Sequence, residues 1–271
     1  MSTEEVKPVP VKQEVPADVL ARFENIRRAY AEAPKKANIL NYGRPGSGKT
    51  YSLRTMPVPV LPYLKPMHID SFDPGGSRSL DDLINKWPER YLVDNRWEVE
   101  DDYAPLAWDA WLKDFDEREK SGYFNHISTY VIDSATFFVE AALNKVRANK
   151  KGAATLPEYN LRQIIVRHEL KRILNLPCTV VINAHPDYDK DEGTGKILAG
   201  PIGGKMALRF PPMFDEIYYS FTKETSAGIE YLWAIRPYEL YFARSRMTKG
   251  GDLKTVNIPQ DYKKALTLLG L

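Results

Sequence analysis

Two spacings of apolar residues alternate along this chain. Short runs at Ala37–Tyr42, Met67–Ile69, Tyr130–Ile132 and Thr179–Asn183 read as strands buried on both faces. Between them, Asp81–Trp87, Trp108–Lys120, Thr136–Ala148 and Tyr159–Leu174 return apolar residues at helical spacing, and Trp108, Trp111, Leu112 and Phe115 share one face of the second. Another helix is predicted from Lys49. Ala17–Ala33 has the same spacing, with Leu20, Phe23, Ile26, Ala29 and Tyr30 in step and Pro34 as its stop. Strands alternating with helices predict a mostly parallel α/β sheet with helices on both faces. After a long glycine-rich stretch the pattern changes. Ile217–Phe221, Tyr231–Ile235 and Leu240–Ala243 read as consecutive strands adding an antiparallel C-terminal edge, and a last helix begins at about Asp261. Residues 1–17 fit neither spacing: Pro8, Pro10 and Pro16 among Val, Lys and Glu predict a disordered N-terminal arm, leaving 18–271 as a single domain.

Charge and cysteine content narrow the classes. With 38 basic and 36 acidic side chains the net charge is +2, which excludes a uniformly basic protein and makes any nucleic-acid contact local. Cys178 is the single cysteine, so no intramolecular disulfide can form, and its apolar surroundings read as a buried, inert thiol. The four histidines are too scattered for a zinc site. The chain opens Met-Ser-Thr-Glu-Glu with no apolar leader core, and no run approaches ~18 apolar residues, so a cytoplasmic location and no membrane partner are expected.

Gly43-Arg44-Pro45-Gly46-Ser47-Gly48-Lys49-Thr50 matches the phosphate-binding pattern G-x-x-x-x-G-K-[ST] and lies between a predicted strand and a predicted helix. A polyphosphate needs several backbone N–H groups turned inward. That curvature requires glycine wherever a Cβ would collide or φ must be positive, and Gly43, Gly46 and Gly48 supply it. The N-terminus of the following helix adds the positive end of its dipole. Lys49 is expected at the β- and γ-phosphates and the Thr50 hydroxyl on Mg²⁺. The motif therefore predicts ATP with Mg²⁺, held by Gly43, Arg44, Pro45, Gly46, Ser47, Gly48, Lys49, Thr50 and Tyr51.

Such a site needs a carboxylate at the end of a neighbouring strand. Thr129-Tyr130-Val131-Ile132-Asp133-Ser134 provides one, with Asp133 emerging at the C-terminal edge where open α/β sheets bind ligands; it is expected, with Thr50, to hold the metal. Hydrolysis needs a group that orients water. Asp70 and Asp73 both follow the Met67–Ile69 strand, and Asp73 is favoured. At the tip of Val180-Val181-Ile182-Asn183-Ala184-His185, Asn183 or His185 could sense the terminal phosphate and signal to the loop that follows.

Taken together, these segments resemble the RecA-core ATPases, and most closely a phage-type group of short RecA-like ATPases, AAA-domain nucleotide-binding proteins associated with single-strand annealing recombination. The resemblance runs from about residue 36 to 265 and rests on Gly43–Thr50, Ile69–Gly76, Val131–Ser134, Ile182–His185, Phe214-Asp215-Glu216-Ile217 and Ala243-Arg244-Ser245-Arg246. It implies a RecA-like P-loop core in which the Asn183 strand lies between the P-loop strand and the Asp133 strand. It also implies self-association into a ring or filament, in which Arg244 and Arg246, on one face of an edge strand, reach a neighbour's ATP. Two departures stand out. His185 replaces the glutamine that relatives often carry, and Phe72 falls near the place of the RecA catalytic glutamate, so Asp73 or Asp70 must substitute.

In relatives, the loops equivalent to 147–157 and 187–205 line a DNA path, which makes Arg147, Lys150, Lys151, Lys196 and Lys205 candidate contacts to single-stranded DNA. Asp187, Asp189, Asp191 and Glu192 make the start of the second loop acidic, which opposes phosphate binding. The leading expectation is a DNA-stimulated ATPase of recombination, annealing or repair, with a single-strand binding protein as a further candidate partner. A nucleotide-switched assembly factor, such as a helicase loader or packaging accessory, is the alternative. A small-molecule kinase is the weaker third reading, because the chain lacks an arginine-rich lid.

Overall fold

The structure, a computed structural model, describes residues 15–33, 35–58, 65–98, 105–147, 150, 152–190, 197–200, 210–247 and 256–271. The proposed N-terminal arm lies almost wholly outside these. Helix α1 (Ala17–Glu32) buries none of its residues and belongs to an N-terminal unit that ends at Lys35. The contacts therefore divide the chain between Lys35 and Lys36, later than the expected boundary at 17/18.

From Lys36 onward the elements in order are β1 (Asn38–Gly43), α2 (Lys49–Ser52), β2 (Met67–Ser71), α3 (Asp81–Lys86), β3 (Tyr91–Asp94), α4 (Ala107–Lys120), β4 (Thr129–Asp133), α5 (Ala135–Arg147), α6 (Leu156–Leu174), β5 (Thr179–Ala184), β6 (Asp187–Lys190), β7 (Ile197–Gly200), β8 (Glu216–Thr225), β9 (Gly228–Ala234), β10 (Asn257–Pro259) and α7 (Tyr262–Leu269). Eight strands form one sheet in the order β10-β9-β8-β1-β5-β4-β2-β3. β8, β1, β5, β4, β2 and β3 run parallel, and β9 and β10 add the antiparallel edge. As expected, β5 lies between β1 and β4.

The strand runs are unbroken because both faces are covered. Leu40, Tyr42, Tyr130, Ile132, Val180 and Ile182 pack on one face with Trp111, Phe138, Leu170 and Ile173 of α4, α5 and α6. The alternate residues Ile39, Met67, Ile69, Val131 and Val181 pack on the other with Leu53, Leu80, Tyr262 and Leu266. Successive residues of a strand point to opposite faces, so one run of apolar residues builds both cores.

Several elements differ from the sequence expectation. The helix after the P-loop is a single turn, continued by a 3-10 turn over Leu53–Thr55. α6 starts at Leu156 because Thr155 and Glu158 form a capping box with Pro157 in the first turn. β3 and β10 were not anticipated. β3 has only four residues, and β10 carries Pro259, which an edge strand tolerates. Part of the glycine-rich stretch forms the antiparallel β6–β7 ribbon, with Asp187 opposite Gly200. Leu240–Ala243 is not a regular strand. Glu239 turns the chain with φ 52°, and only isolated bridges form, Tyr238 with Tyr241 and Ile217 with Arg244. Burial alternates from Tyr241 to Met247 all the same; the sequence pattern reported alternation without a ladder.

Asp70 is a correction to the candidate site. It is fully buried on the α4 face of β2 and cannot orient water at a triphosphate. Its Oδ1 lies 2.9 Å from His68 Nε2 and accepts from Trp97 Nε1 at 3.2 Å and Arg118 Nη1 at 3.2 Å. Its Oδ2 accepts from Trp111 Nε1 at 2.9 Å, Arg118 Nη2 at 3.1 Å and the Tyr130 hydroxyl. Burial alone would raise its pKa, yet the donors around it, led by His68 with Arg118 and Tyr130, hold it below the usual carboxylate range. Asp70 therefore joins β2, β4 and α4 as a structural ion pair. Removing one partner leaves the other charge buried and alone, so Asp70→Ala is expected to cost about 3–5 kcal/mol of stability, measured by urea unfolding.

Candidate active site

The P-loop leaves the sheet at Gly43, where β8 passes so closely that a Cβ would lie 2.3 Å from the Ser220 carbonyl oxygen. Farther along, Gly46 and Gly48 take φ of 77° and 89°, the left-handed conformation that glycine adopts without strain. The Lys49 ammonium folds across the loop and donates to the carbonyls of Gly43 at 2.8 Å and Arg44 at 3.2 Å. Burial lowers its pKa, opposed by the charges of Asp133 and Asp73.

The parallel register sets the rest. Ser71 lies opposite Asp133, Asp133 opposite Asn183, and Asn183 opposite Asn41, one polar row across the carboxyl ends of β2, β4, β5 and β1. Thr50 Oγ1 donates to Asp133 Oδ2 at 2.6 Å. Burial raises the Asp133 pKa, and the Thr50 hydrogen bond only partly offsets it. Under the loop, Asn41 Nδ2 donates to Asn183 Oδ1 and to the Tyr262 hydroxyl, both at 3.2 Å, and its Oδ1 accepts from Ser220 Oγ at 2.5 Å.

Asp73 reaches the same place from β2. The N–H groups of Phe72 and Asp73 donate to the Asp133 carbonyl at 2.6 and 3.1 Å. Phe72 turns into the core against Phe138 and Trp111, whereas the Asp73 side chain stays a quarter exposed, with its Oδ2 3.5 Å from His185 Nε2. Thr136 Oγ1 holds the His185 backbone N–H at 3.0 Å. Glu98 braces the turn, accepting from Ser71 Oγ at 2.6 Å and from the Gly75 N–H at 2.9 Å.

Lys49, Thr50, Asp133, Asp73, Asn183 and His185 thus converge. Arg244 and Arg246, expected at a neighbour's ATP, do not join them within this chain. The Arg244 backbone pairs with Ile217 and its guanidinium donates to the Phe214 carbonyl. Arg246 meets Asp215 at 3.0 Å, and the other oxygen of Asp215 accepts from the Asn38 N–H at 3.1 Å. Both arginines therefore lie at the start of β1 and β8, while the P-loop leaves from the far end of β1, about 16 Å away at ~3.3 Å per residue. A role at the triphosphate of their own chain is excluded. Sequence reading also missed Glu98, Gln260, Tyr262 and Ser220, which carry no motif. Of these, Ser220 falls near the resemblance at Phe214–Ile217, but spacing gave it no role.

Asp133 Oδ1, Ser134 Oγ and Ser47 Oγ are buried at this point with no hydrogen-bond partner among the described residues. A carboxylate and hydroxyls beside a loop of inward N–H groups suit a hard cation and a polyphosphate. A parallel sheet with the P-loop strand, the Asn183 strand and the Asp133 strand in that order defines a RecA-like P-loop ATPase.

Residues 35–247 match the family model described as the AAA domain, and the chain belongs to that family. It is an ATPase; nucleotide binding, usually with Mg²⁺, goes with the family. Among solved structures it is similar to a KaiC-like protein of the archaeon Pyrococcus horikoshii, at 14% identity over 80% of this chain and 84% of that one, with a TM-score of 0.46. It is also similar to the flagellar accessory protein FlaH of Methanocaldococcus jannaschii, at 14% identity over 80% and 84%, with a TM-score of 0.40. No curated protein matches it in sequence. Among the described residues no helix is long and apolar enough to cross a membrane.

Lys49→Ala is expected to lower kcat/KM for ATP by about 10²–10³-fold in a steady-state ATPase assay, as for other lost donors to developing charge. Asp133→Asn should abolish hydrolysis yet raise the melting temperature of the ligand-free protein at neutral pH. A carboxyl whose folded pKa is raised contributes stability that is present below its unfolded value of about 3.9 and is lost as pH rises through the folded value, so toward neutral pH Asp133 weakens the ligand-free fold. Because kcat/KM reports the free enzyme, its pH profile should accordingly fall off on acidification at a higher pH than an ordinary aspartate would dictate.

Proposed function

We propose that this ATPase acts on single-stranded DNA in phage-type recombination, annealing or repair, and that its nucleotide state passes from the tip of β5 to the β6–β7 ribbon. The observation that carries this reading is continuity. β5 runs between β1 and β4, and Asn183 and His185 at its end lead directly to Asp187, the first residue of the ribbon. A side chain that feels the terminal phosphate can in this way move an element several residues away.

In this reading Lys49 and the P-loop N–H groups hold the phosphates. Thr50 and Asp133 hold Mg²⁺, which when bound neutralises phosphate charge and fixes the phosphate oxygens. Asp73 orients the attacking water, and His185 orients Asp73. Arg244 and Arg246 serve the triphosphate of a neighbouring copy in a ring or filament, since they are remote from their own.

For DNA contact the 187–205 segment is the stronger candidate, although Lys196 and Lys205 lie outside the described residues, as does Lys151. In the 147–157 segment, Lys150 pairs with Glu158 at 3.0 Å, and Arg147 donates to the carbonyls of Lys150 and Gly152. Those internal bonds favour, as a second reading, a nucleotide-switched assembly factor that contacts protein rather than DNA. ATPase rates with and without single-stranded DNA, combined with light scattering in ATP and in ADP, decide between them. A severalfold stimulation by DNA is expected; an unchanged rate with ATP-dependent growth in particle size would favour the assembly factor.

A further inference from the structure

Beneath the P-loop a line of buried hydrogen-bonding side chains crosses the sheet. Trp233 on β9 lies opposite Ser220 on β8, Asn41 on β1 lies opposite Asn183 on β5, and Asn183 lies opposite Asp133 on β4. These strands are neighbours in the order β9-β8-β1-β5-β4. Asn41, Asp133 and Asn183 each stand two residues beyond Ile39, Val131 and Val181, and so share their face of the sheet with Trp233. Trp233, Ser220, Asn41 and Asn183 are all 0% exposed, so water does not compete for their hydrogen bonds.

The line has a direction. An indole N–H donates and cannot accept, and that of Trp233 donates to Ser220 Oγ at 3.0 Å. The Ser220 hydroxyl passes its own single proton to Asn41 Oδ1. With its oxygen engaged there, Asn41 turns its amide nitrogen the other way, and Nδ2 donates to Asn183 Oδ1 and to the Tyr262 hydroxyl. Asn183 therefore meets Asn41 with its oxygen. Its Nδ2 is left on the far side, buried and with no hydrogen-bond partner among the described residues, and near enough to Asp133 for Asn183 to favour that carboxylate's charge. The two ends of an asparagine amide are almost alike in shape, so packing alone does not choose between its orientations. The reverse one would set Asn183 Oδ1 against the Asp133 carboxylate and against an incoming phosphate. A donor-only indole three strands away selects the other.

We propose that Trp233, Ser220 and Asn41 are positioning residues for ATP hydrolysis: they hold Asn183 with its amide N–H groups, rather than its oxygen, toward Asp133 and the terminal phosphate. This role rests on the reading above, in which the end of β5 meets that phosphate. A donor fixed in advance where charge develops needs no reorganisation during the reaction, so its misplacement falls on kcat rather than on binding.

Steady-state ATPase kinetics of the full chain test this with Ser220→Ala, which frees Asn41 to turn, and Asn183→Ala, which removes the oriented group. Ser220→Ala is expected to lower kcat about tenfold to a hundredfold, less than the ~10²–10³ of a donor lost outright, with KM for Mg²⁺-ATP within about twofold of wild type. In the Asn183→Ala background the same substitution should change kcat by less than about twofold, because residues that act as a unit are not additive. If Ser220→Ala melts well below wild type, Trp233→Phe, which keeps an aromatic ring and loses the N–H, decides by the same criteria. An unchanged kcat, a loss carried by KM, or an equal loss in the Asn183→Ala background would overturn the proposal. An impaired Asn183→Ala beside an unaffected Ser220→Ala removes the positioning line alone, whereas a fully active Asn183→Ala sinks the β5 reading beneath it.

Discussion

Ser71, Asp133, Asn183 and Asn41 stand level across four strands, and the alternation that fills both cores fixes the face they share. A one-residue slip of any of these strands would send Leu40, Ile132 or Ile182 to the wrong face and bring Ile39, Val131 or Val181 in its place. Apolar packing on two faces thus fixes the face of a polar row that meets the core at Tyr262. Once that row is set, Thr50 meets Asp133 at 2.6 Å, and the chain leaving β2 turns onto the Asp133 carbonyl, which delivers Asp73.

Two buried aspartates on neighbouring strands show how far surroundings decide chemistry. Asp70 is ringed by two indoles, an imidazole, a phenol and a guanidinium, and its charge is favoured. Asp133 has Thr50 and Asn183 beside it, too little to offset its burial, and its charge is disfavoured. The first is satisfied and holds the fold together. The second is strained electrostatically in the way expected of a group that awaits a cation, and Lys49, whose charge burial also disfavours, awaits an anion. Burial disfavours both charges even though each attracts the other, and a metal-bound polyphosphate carries charges that suit them both.

The legible parts of the sequence were those where one residue type answers one local demand. The P-loop glycines, Lys49, Thr50 and the apolar run into Asp133 belong to this class, as do the helices α4 to α6 with their regular spacing. What separates Asp70 from Asp73 lies in Arg118 and Trp111, forty and more residues away on α4. Arg244 and Arg246 kept the alternation of a strand without its ladder, because Glu239 breaks the pairing just before them. Glu98 and Gln260 were invisible for a related reason: each serves a backbone group across the fold, and no spacing encodes such a partner.

The C-terminal segment gives the fold an unexpected indivisibility. The family's span ends at residue 247, yet Gln260 grips the Ser47 carbonyl inside the P-loop. Tyr262 gives its backbone N–H to Thr55 Oγ1 at 2.8 Å, and its hydroxyl accepts from Asn41 Nδ2. A graft that transplanted only the shared family span would carry the motif but leave its underside open, with Trp233 uncovered. The portable unit is longer than the recognisable one, and Gln260 and Tyr262 belong to the nucleotide loop as much as the glycines do.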